Sequence, residues 1–291
     1  MSSFDFGSLA EHYDDWYKTS PGQQHDQVQK ADVLKLLPHP GRGLSLLDVG
    51  CGTGHWSRFF ASLGYKVHGI DISEKMILVA RSKQRECPGC TFGVADAQAL
   101  PFPDASFAVV AAITSLEFMP HPAVALREMA RCTRPGGIIL VAVLNRAAPL
   151  NQARLAEGKE PYTAAHMFTA EELEDLLAPY GEVRMRASLV PSPRGLPTGD
   201  KKGRQVLSSW LSRLRLGSRG LRGPLLVARV RKSKKRCYGE NPIKPAALGR
   251  VLLMWMRQKC SRQKAPAPPT VQPNVLMLVV CLLGENRSRC P

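Results

Sequence analysis

Between Leu44 and Leu144, short apolar runs alternate with stretches whose apolar residues recur every three or four positions. That alternation is the pattern of βαβ units and a parallel sheet. The run LSLLDVG at 44–50 reads as a buried strand, and the next stretch, His55 to Leu63, places Trp56, Phe59, Phe60 and Leu63 on one helical face. Gly64 stops that helix, and YKVHGID at 65–71 follows as a second strand. Ser73 is placed to cap a helix whose first turn carries Glu74, favourable at the positive end of the dipole. Strands are expected at 91–95 and 107–113. Pro122 suits the first turn of a helix running to Arg134 with Leu126, Met129 and Ala130 inward, and PGG at 135–137 reads as the turn before the strand IILVAVL. Farther on, Thr169 with Glu172 has the spacing of a capping box ahead of EELEDLL, and EVRMRASLV and PLLVARVRK read as strands.

From Pro191 the chain becomes rich in Pro, Gly, Ser and basic residues, which marks 191–223 as an insertion or lid. Within it Val206, Leu207, Trp210, Leu211 and Leu214 fall at helical spacing beside Arg213 and Arg215. The organisation expected is one domain over 1–236 and a basic, partly disordered tail over 237–291, with an apolar helical stretch from Leu248 to Met256 and the Pro-rich segment APAPP.

Composition narrows the class. Of 291 residues 44% are hydrophobic and 22% charged, the balance of a globular chain. Val275 to Leu283 is the longest aliphatic run near the end, and a membrane helix needs about 20 residues, so no transmembrane segment is expected. The first residues show no basic stretch followed by an apolar one, so no leader is read there. Eight cysteines in such a chain point to thiols in a reducing, cytoplasmic setting. Charge is lopsided: residues 1–183 carry 16 Lys and Arg against 21 Asp and Glu, whereas 184–291 carry 24 against 3. Such a basic end suits either a solvated tail or contact with nucleic acid or an anionic membrane.

The chemistry concentrates in LLDVGCGTGHW at 46–56, where Gly50, Gly52 and Gly54 fall at a strand-to-helix turn. Backbone lacking Cβ atoms admits a ligand closely there, and the helix start offers free N–H groups. A dinucleotide pyrophosphate is usually held by GxGxxG, whereas this chain has GxGxG followed by His55, with Asp48 inside the strand. Asp71 closes the second strand, where a carboxylate accepts hydrogen bonds from ribose hydroxyls. A plain glycine turn with a capping aspartate is the competing reading.

In order along residues 4–190, the segments YDDWY, LDVGCGTG, GIDIS, ADAQALPFPDASFAVV, the EFM segment and LREMARCTRPGGIILVAVLN resemble the class I S-adenosylmethionine-dependent methyltransferases. The likeness is to the broad group of ubiquinone and menaquinone biosynthesis methyltransferases. It implies an α/β, Rossmann-like, doubly wound sheet of seven mostly parallel strands whose last strand, PLLVARVRK, is antiparallel. It also implies S-adenosyl-L-methionine as cofactor, lying across the carboxyl ends of the first strands. By the same resemblance Gly50, Cys51, Gly52 and Gly54 line its methionine portion with Asp48 nearby, Asp71 holds the ribose and Ile72 packs on adenine. Asp96 reaches the adenine amino group with Ala97 beside it, Ile113 and Thr114 face the methionine end, and Tyr13 closes over the cofactor from an N-terminal helix.

No catalytic residue is singled out. Glu117, His121, Tyr162 and His166 lie in segments that frame the expected substrate mouth, as bases or as packing residues. Cys87 and Cys90 form a single CPGC, which lacks the partners of a zinc site and reads as a turn with two thiols, the alternative being a redox-sensitive pair. The function expected is methyl transfer to an O, N or C nucleophile of a small molecule. The alternatives are an RNA-directed methyltransferase using the basic end and a nicotinamide dehydrogenase.

Overall fold

Seven strands form one sheet in the order β3-β2-β1-β4-β5-β7-β6. A computed structural model describes residues 6–37, 42–188 and 221–233. The amphipathic stretch at 206–214 and the tail at 237–291 lie outside the described residues, as does most of the 191–223 insertion. The strands are β1 (Ser45–Val49), β2 (Lys66–Asp71), β3 (Cys90–Val94), β4 (Phe107–Ile113), β5 (Thr133–Leu144), β6 (Gly181–Ser188) and β7 (Leu225–Lys232). Strands β1 to β5 pair in parallel, and β7 inserts antiparallel between β5 and β6. Every residue of β4 is buried, as its unbroken apolar run requires of a strand covered on both faces.

The helices are α1 (Asp15–Lys18), α2 (Ser20–Leu34), α3 (His55–Ser62), α4 (Glu74–Ser82), α5 (Pro122–Cys132), α6 (Pro149–Ala156) and α7 (Ala170–Leu177). Successive residues of β1 point to opposite faces, so Leu46 joins Val33, Trp56, Phe60 and Ile77 beneath α2, α3 and α4. Leu47 joins Leu126, Met129, Leu173 and Leu177 beneath α5 and α7. The chain moves outward from β1 to β3 and then returns to β4 on the other side of β1. The carboxyl ends of β1 and β4 therefore flank the switch point, where ligands enter open α/β sheets.

Local signals hold at several ends. Ser73 Oγ accepts from the Met76 N–H at the start of α4. Thr169 Oγ1 accepts from Glu172 N–H while a Glu172 carboxylate oxygen accepts from Thr169 N–H, a reciprocal capping box. Thr169→Ala removes one arm, and a loss of about 0.5–2 kcal/mol is expected in denaturant unfolding; an unchanged midpoint would contradict the capping role.

Two local readings are corrected. PGG is not a turn between α5 and the next strand: α5 ends at Cys132 and β5 begins at Thr133, with the register slipping between Phe107 and Val109. A Cβ on Gly137 would meet the Ala108 and Arg134 carbonyls at 2.8 Å, and Gly136 sits at φ +73°, so the glycines let a bulged strand pass close to β4. Cys87 and Cys90 are not the two free thiols expected first but a disulfide, as the alternative of a redox-sensitive pair allows. The Cys90 N–H to Cys87 carbonyl turn brings their Cα atoms to 5.4 Å, within bridging range.

Candidate active site

The turn from β1 into α3 is built on three left-handed glycines, Gly50 at φ +70°, Gly52 at +53° and Gly54 at +78°. Gly50 and Cys51 N–H both donate to the Ile70 carbonyl, which fastens the turn to β2. A Cβ on Gly50 would meet Ser115 Cβ at 2.5 Å, and one on Gly54 would meet the Phe92 ring at 2.8 Å. Gly52 differs, because its Cβ position has nothing nearer than Met76 Sδ at 3.9 Å. Space is open where the turn faces outward.

Asp71, the last residue of β2, ties the neighbouring loops together. One carboxylate oxygen accepts from Gly52 N–H at 2.9 Å and the other from Ser73 N–H at 2.9 Å. Burial raises its pKa against those backbone bonds. Within β1, Asp48 is 1% exposed and accepts from Ser57 Oγ at 2.6 Å. Burial pushes its pKa up to about 7, opposed by the Ser57 bond and helped by the Asp71 charge.

A raised carboxyl pKa in the folded state has a definite sign: the fold binds the proton more tightly than the unfolded chain. Stability from this residue is present at acid pH and falls as pH rises from the ordinary carboxylate range through about 7. Asp48→Asn is therefore expected to flatten the decline in melting temperature between pH 5 and 8. Equal slopes for the variant and the parent would contradict the assignment.

The N-terminal segment lies over the glycine turn and is latched to it. Asp14 accepts from Thr53 Oγ1 at 2.5 Å, from Lys83 Nζ at 2.7 Å and from Arg58 at 3.3 Å. Burial works against its ionisation, but the Lys83 and Thr53 bonds hold its pKa below the usual value. The Tyr17 ring stacks on the His55 imidazole with centroids 3.7 Å apart and planes 7° from parallel. His55 Nε2 in turn lies 2.7 Å from Asp26 of α2. Between this segment and the turn lies a cavity of about 30 Å³ lined by Tyr13, Tyr17, Asp48, Gly50, Cys51, Gly52, His55, Trp56, Ile113 and Thr114.

Seven of the residues expected at the site thus come together around one cavity, namely Tyr13, Asp48, Gly50, Cys51, Gly52, Ile113 and Thr114. Tyr13 lies in a turn ahead of α1 rather than in a helix. Its phenol is pushed up to about 12 by burial and by the charges of Asp14, Asp71 and Glu117. Thr114 holds φ +49°, a strained position for a branched residue. Gly54 shapes the turn without lining the cavity. Ile72, Asp96 and Ala97 lie beyond the ends of β2 and β3, outside the cavity lining. Ile72 is 72% exposed there, and Val94 at the end of β3 is 51% exposed. Asp96 uses one oxygen on the Gln98 N–H at 2.8 Å.

Among the candidate bases, Glu117 stands apart. It is 1% exposed in the turn after β4, and its Oε1 accepts from Leu144 N–H at 3.1 Å. Its carbonyl accepts from His166 N–H at 2.7 Å. Oε2 is buried without a hydrogen-bond partner. Tyr162 instead stacks under the Arg154 guanidinium at 4.3 Å, and the His166 ring packs edge-on against Phe168. His121 stands at the start of α5 without a side-chain capping bond.

Comparison with known proteins adds three findings. Residues 47–141 match the family model described as a methyltransferase domain. The chain is 37% identical over 149 residues to the malonyl-[acyl-carrier protein] O-methyltransferase of Erwinia pyrifoliae, covering 44% of this chain and 55% of that one. To the enzyme of the same name from Enterobacter lignolyticus it is 30% identical over 191 residues, covering 64% and 71%. Against three of its curated relatives the chain spans 40 to 66% of their length. Among solved structures, an S-adenosylmethionine-dependent methyltransferase of Thermotoga maritima, described as a possible histamine N-methyltransferase, superposes with a TM-score of 0.59. That likeness covers 78% of this chain and 98% of the other at 24% identity, and it shows the fold.

Proposed function

We propose, from the premise that the chain belongs to the class I S-adenosylmethionine-dependent methyltransferases, that it methylates an O, N or C nucleophile of a small molecule. The observation that carries this reading is the left-handed Gly50–Gly54 turn bonded through Gly52 N–H to the Asp71 carboxylate. It is a cradle at the switch point in which Gly52 leaves room that a Cβ would fill. The residues present suit a nucleoside bearing a short charged tail. Asp71 keeps lone pairs for ribose hydroxyls, exposed Ile72 and Val94 offer an apolar ledge for a base with Asp96 nearby, and Gly50, Cys51, Gly52 and Thr114 surround the methionine end.

Bound there, S-adenosylmethionine would supply an electrophilic sulfonium methyl. The chain's own contribution is to position and to exclude water, since a group whose positive charge disappears on transfer gains from a dry site. Tyr13 and Tyr17, latched through Asp14 and His55, wall that site from solvent. Cys51 is a small residue of the turn whose thiol is raised well above its usual pKa by burial and by Asp48, so it is a poor nucleophile.

Among the described residues no helix is long and apolar enough to cross a membrane. The RNA-directed alternative rests on the charge of the C-terminal segment alone. The test is incubation with methyl-labelled S-adenosylmethionine and a fractionated cell extract. Label in the small-molecule fraction is the expected result; label confined to RNA or protein would overturn the substrate class.

A further inference from the structure

One buried carboxylate, Glu117, has no part in the glycine cradle that Asp71 fastens. Glu117 follows Thr114 and Ser115 in the turn that leaves β4, and both neighbours are fixed. Thr114 N–H donates to the Ala142 carbonyl at 2.7 Å, and Ser115 Oγ donates to the Val49 carbonyl at 2.8 Å, directly against Gly50. The backbone of Glu117 is pinned by His166 N–H, and its side chain by Leu144 N–H on Oε1. One carboxylate oxygen remains, buried and without a partner. A buried carboxylate held on one side only is costly, because half of its hydrogen-bonding capacity is desolvated with nothing in return. Such a group suits a site whose partner arrives with a ligand.

Its place in the site says which ligand. Glu117 lies three residues past Thr114, which lines the cavity, and its charge, like that of Asp71, raises the pKa of the Tyr13 phenol in the same lining. The groups bonded to Glu117 are the Leu144 N–H on its carboxylate and the His166 N–H on its carbonyl, with Tyr13 close enough to feel its charge. We infer that Glu117 is the catalytic base of this site, binding an O–H or N–H of the methyl acceptor through Oε2 and taking its proton. This rests on the methyl-transfer reading above.

The step balances simply. The acceptor's lone pair forms the new bond to the methyl carbon, and the old carbon–sulfur bonding pair stays on the leaving sulfur. The acceptor's proton passes to Glu117 Oε2 while its bonding pair remains on the acceptor atom. A neutral alcohol, phenol or amine fits this arrangement. A carboxylate acceptor does not, because it arrives with no proton to give and meets a like charge in a buried place.

The test uses the full chain, its Glu117→Gln and Glu117→Asp variants, and methyl-labelled S-adenosylmethionine. The acceptors are a simple phenol, a primary amine, a malonyl thioester and the small-molecule fraction of an extract. Glu117→Gln keeps an oxygen for Leu144 N–H but cannot take a proton. Its expected outcome is unchanged S-adenosylhomocysteine affinity by calorimetry with transfer reduced by roughly 10² to 10⁴. Parent activity should rise with pH through about 7, where burial places this carboxyl, and that rise should vanish in Glu117→Gln and persist, at lower rate, in Glu117→Asp. Full transfer by either variant, loss of S-adenosylhomocysteine binding by Glu117→Gln, or label found only on the malonyl carboxylate would each overturn the inference. If Glu117→Gln does not fold, Glu117→Asp decides through its rate and pH profile. Absence of transfer by the parent to every acceptor would overturn the methyl-transfer reading and this inference together.

Discussion

Replacing Gly52 by valine is expected to abolish S-adenosylhomocysteine binding while the sheet stays folded. Gly52 sits at φ +53°, and its Cβ position has only Met76 Sδ at 3.9 Å near it, so the added carbons meet little protein. They project instead into the space the ligand needs. A residue other than glycine in the left-handed region costs about 1–2 kcal/mol, a loss that a domain of this kind survives. The affinity loss should exceed about 100-fold, or ~2.7 kcal/mol. Circular dichroism reports the fold and calorimetry reports binding. A folded variant with parental affinity would place the ligand elsewhere. Gly50 offers no such clean test, because a Cβ there meets Ser115 within 2.5 Å and disturbs the turn itself.

Asp71→Ala comes next in size. The change removes the acceptor for Gly52 N–H and Ser73 N–H as well as the proposed ribose contacts. Hydrogen bonds to a charged group contribute about 1.5–3 kcal/mol, so binding should weaken roughly 10- to 150-fold. Asp71→Asn retains an acceptor for one of the two backbone groups and should fall between. If Asp71→Ala binds like the parent, this carboxylate serves the loops alone.

Much of this site was legible because its strongest elements are local. The turn at 50–54 announces itself by glycines at a change of period from strand to helix, and Asp71 by its place at the end of the next strand. Long-range partners left no such mark. Tyr17 and His55 stack although 38 positions separate them in sequence, and Asp14 gathers Thr53, Arg58 and Lys83 from three different segments. Helix α2 leaves little trace in the sequence because QQHDQVQKADVL carries no clear apolar face; its buried apolar side chains come late, at Val33 and the Leu36 and Leu37 that follow. Asn145 was also silent. Its side-chain amide donates to the Leu221 and Gly223 carbonyls, steering the returning chain into β7, and nothing local to Asn145 foretells that. PGG and CPGC misled for the opposite reason, since each is a sound turn signal whose outcome was set by neighbours: a close strand in one case and a bonded pair of sulfurs in the other.

The most direct measurement is calorimetric titration of the full chain with S-adenosylhomocysteine, set beside the same titration with NADH. Ligand binding to the folded state alone also raises the melting temperature, which gives a second readout on the same samples. The account predicts one saturable site for S-adenosylhomocysteine, lost in Gly52→Val and weakened in Asp71→Ala, and no saturable heat with NADH. Saturable NADH binding that Gly52→Val abolishes, with none for S-adenosylhomocysteine, would contradict it.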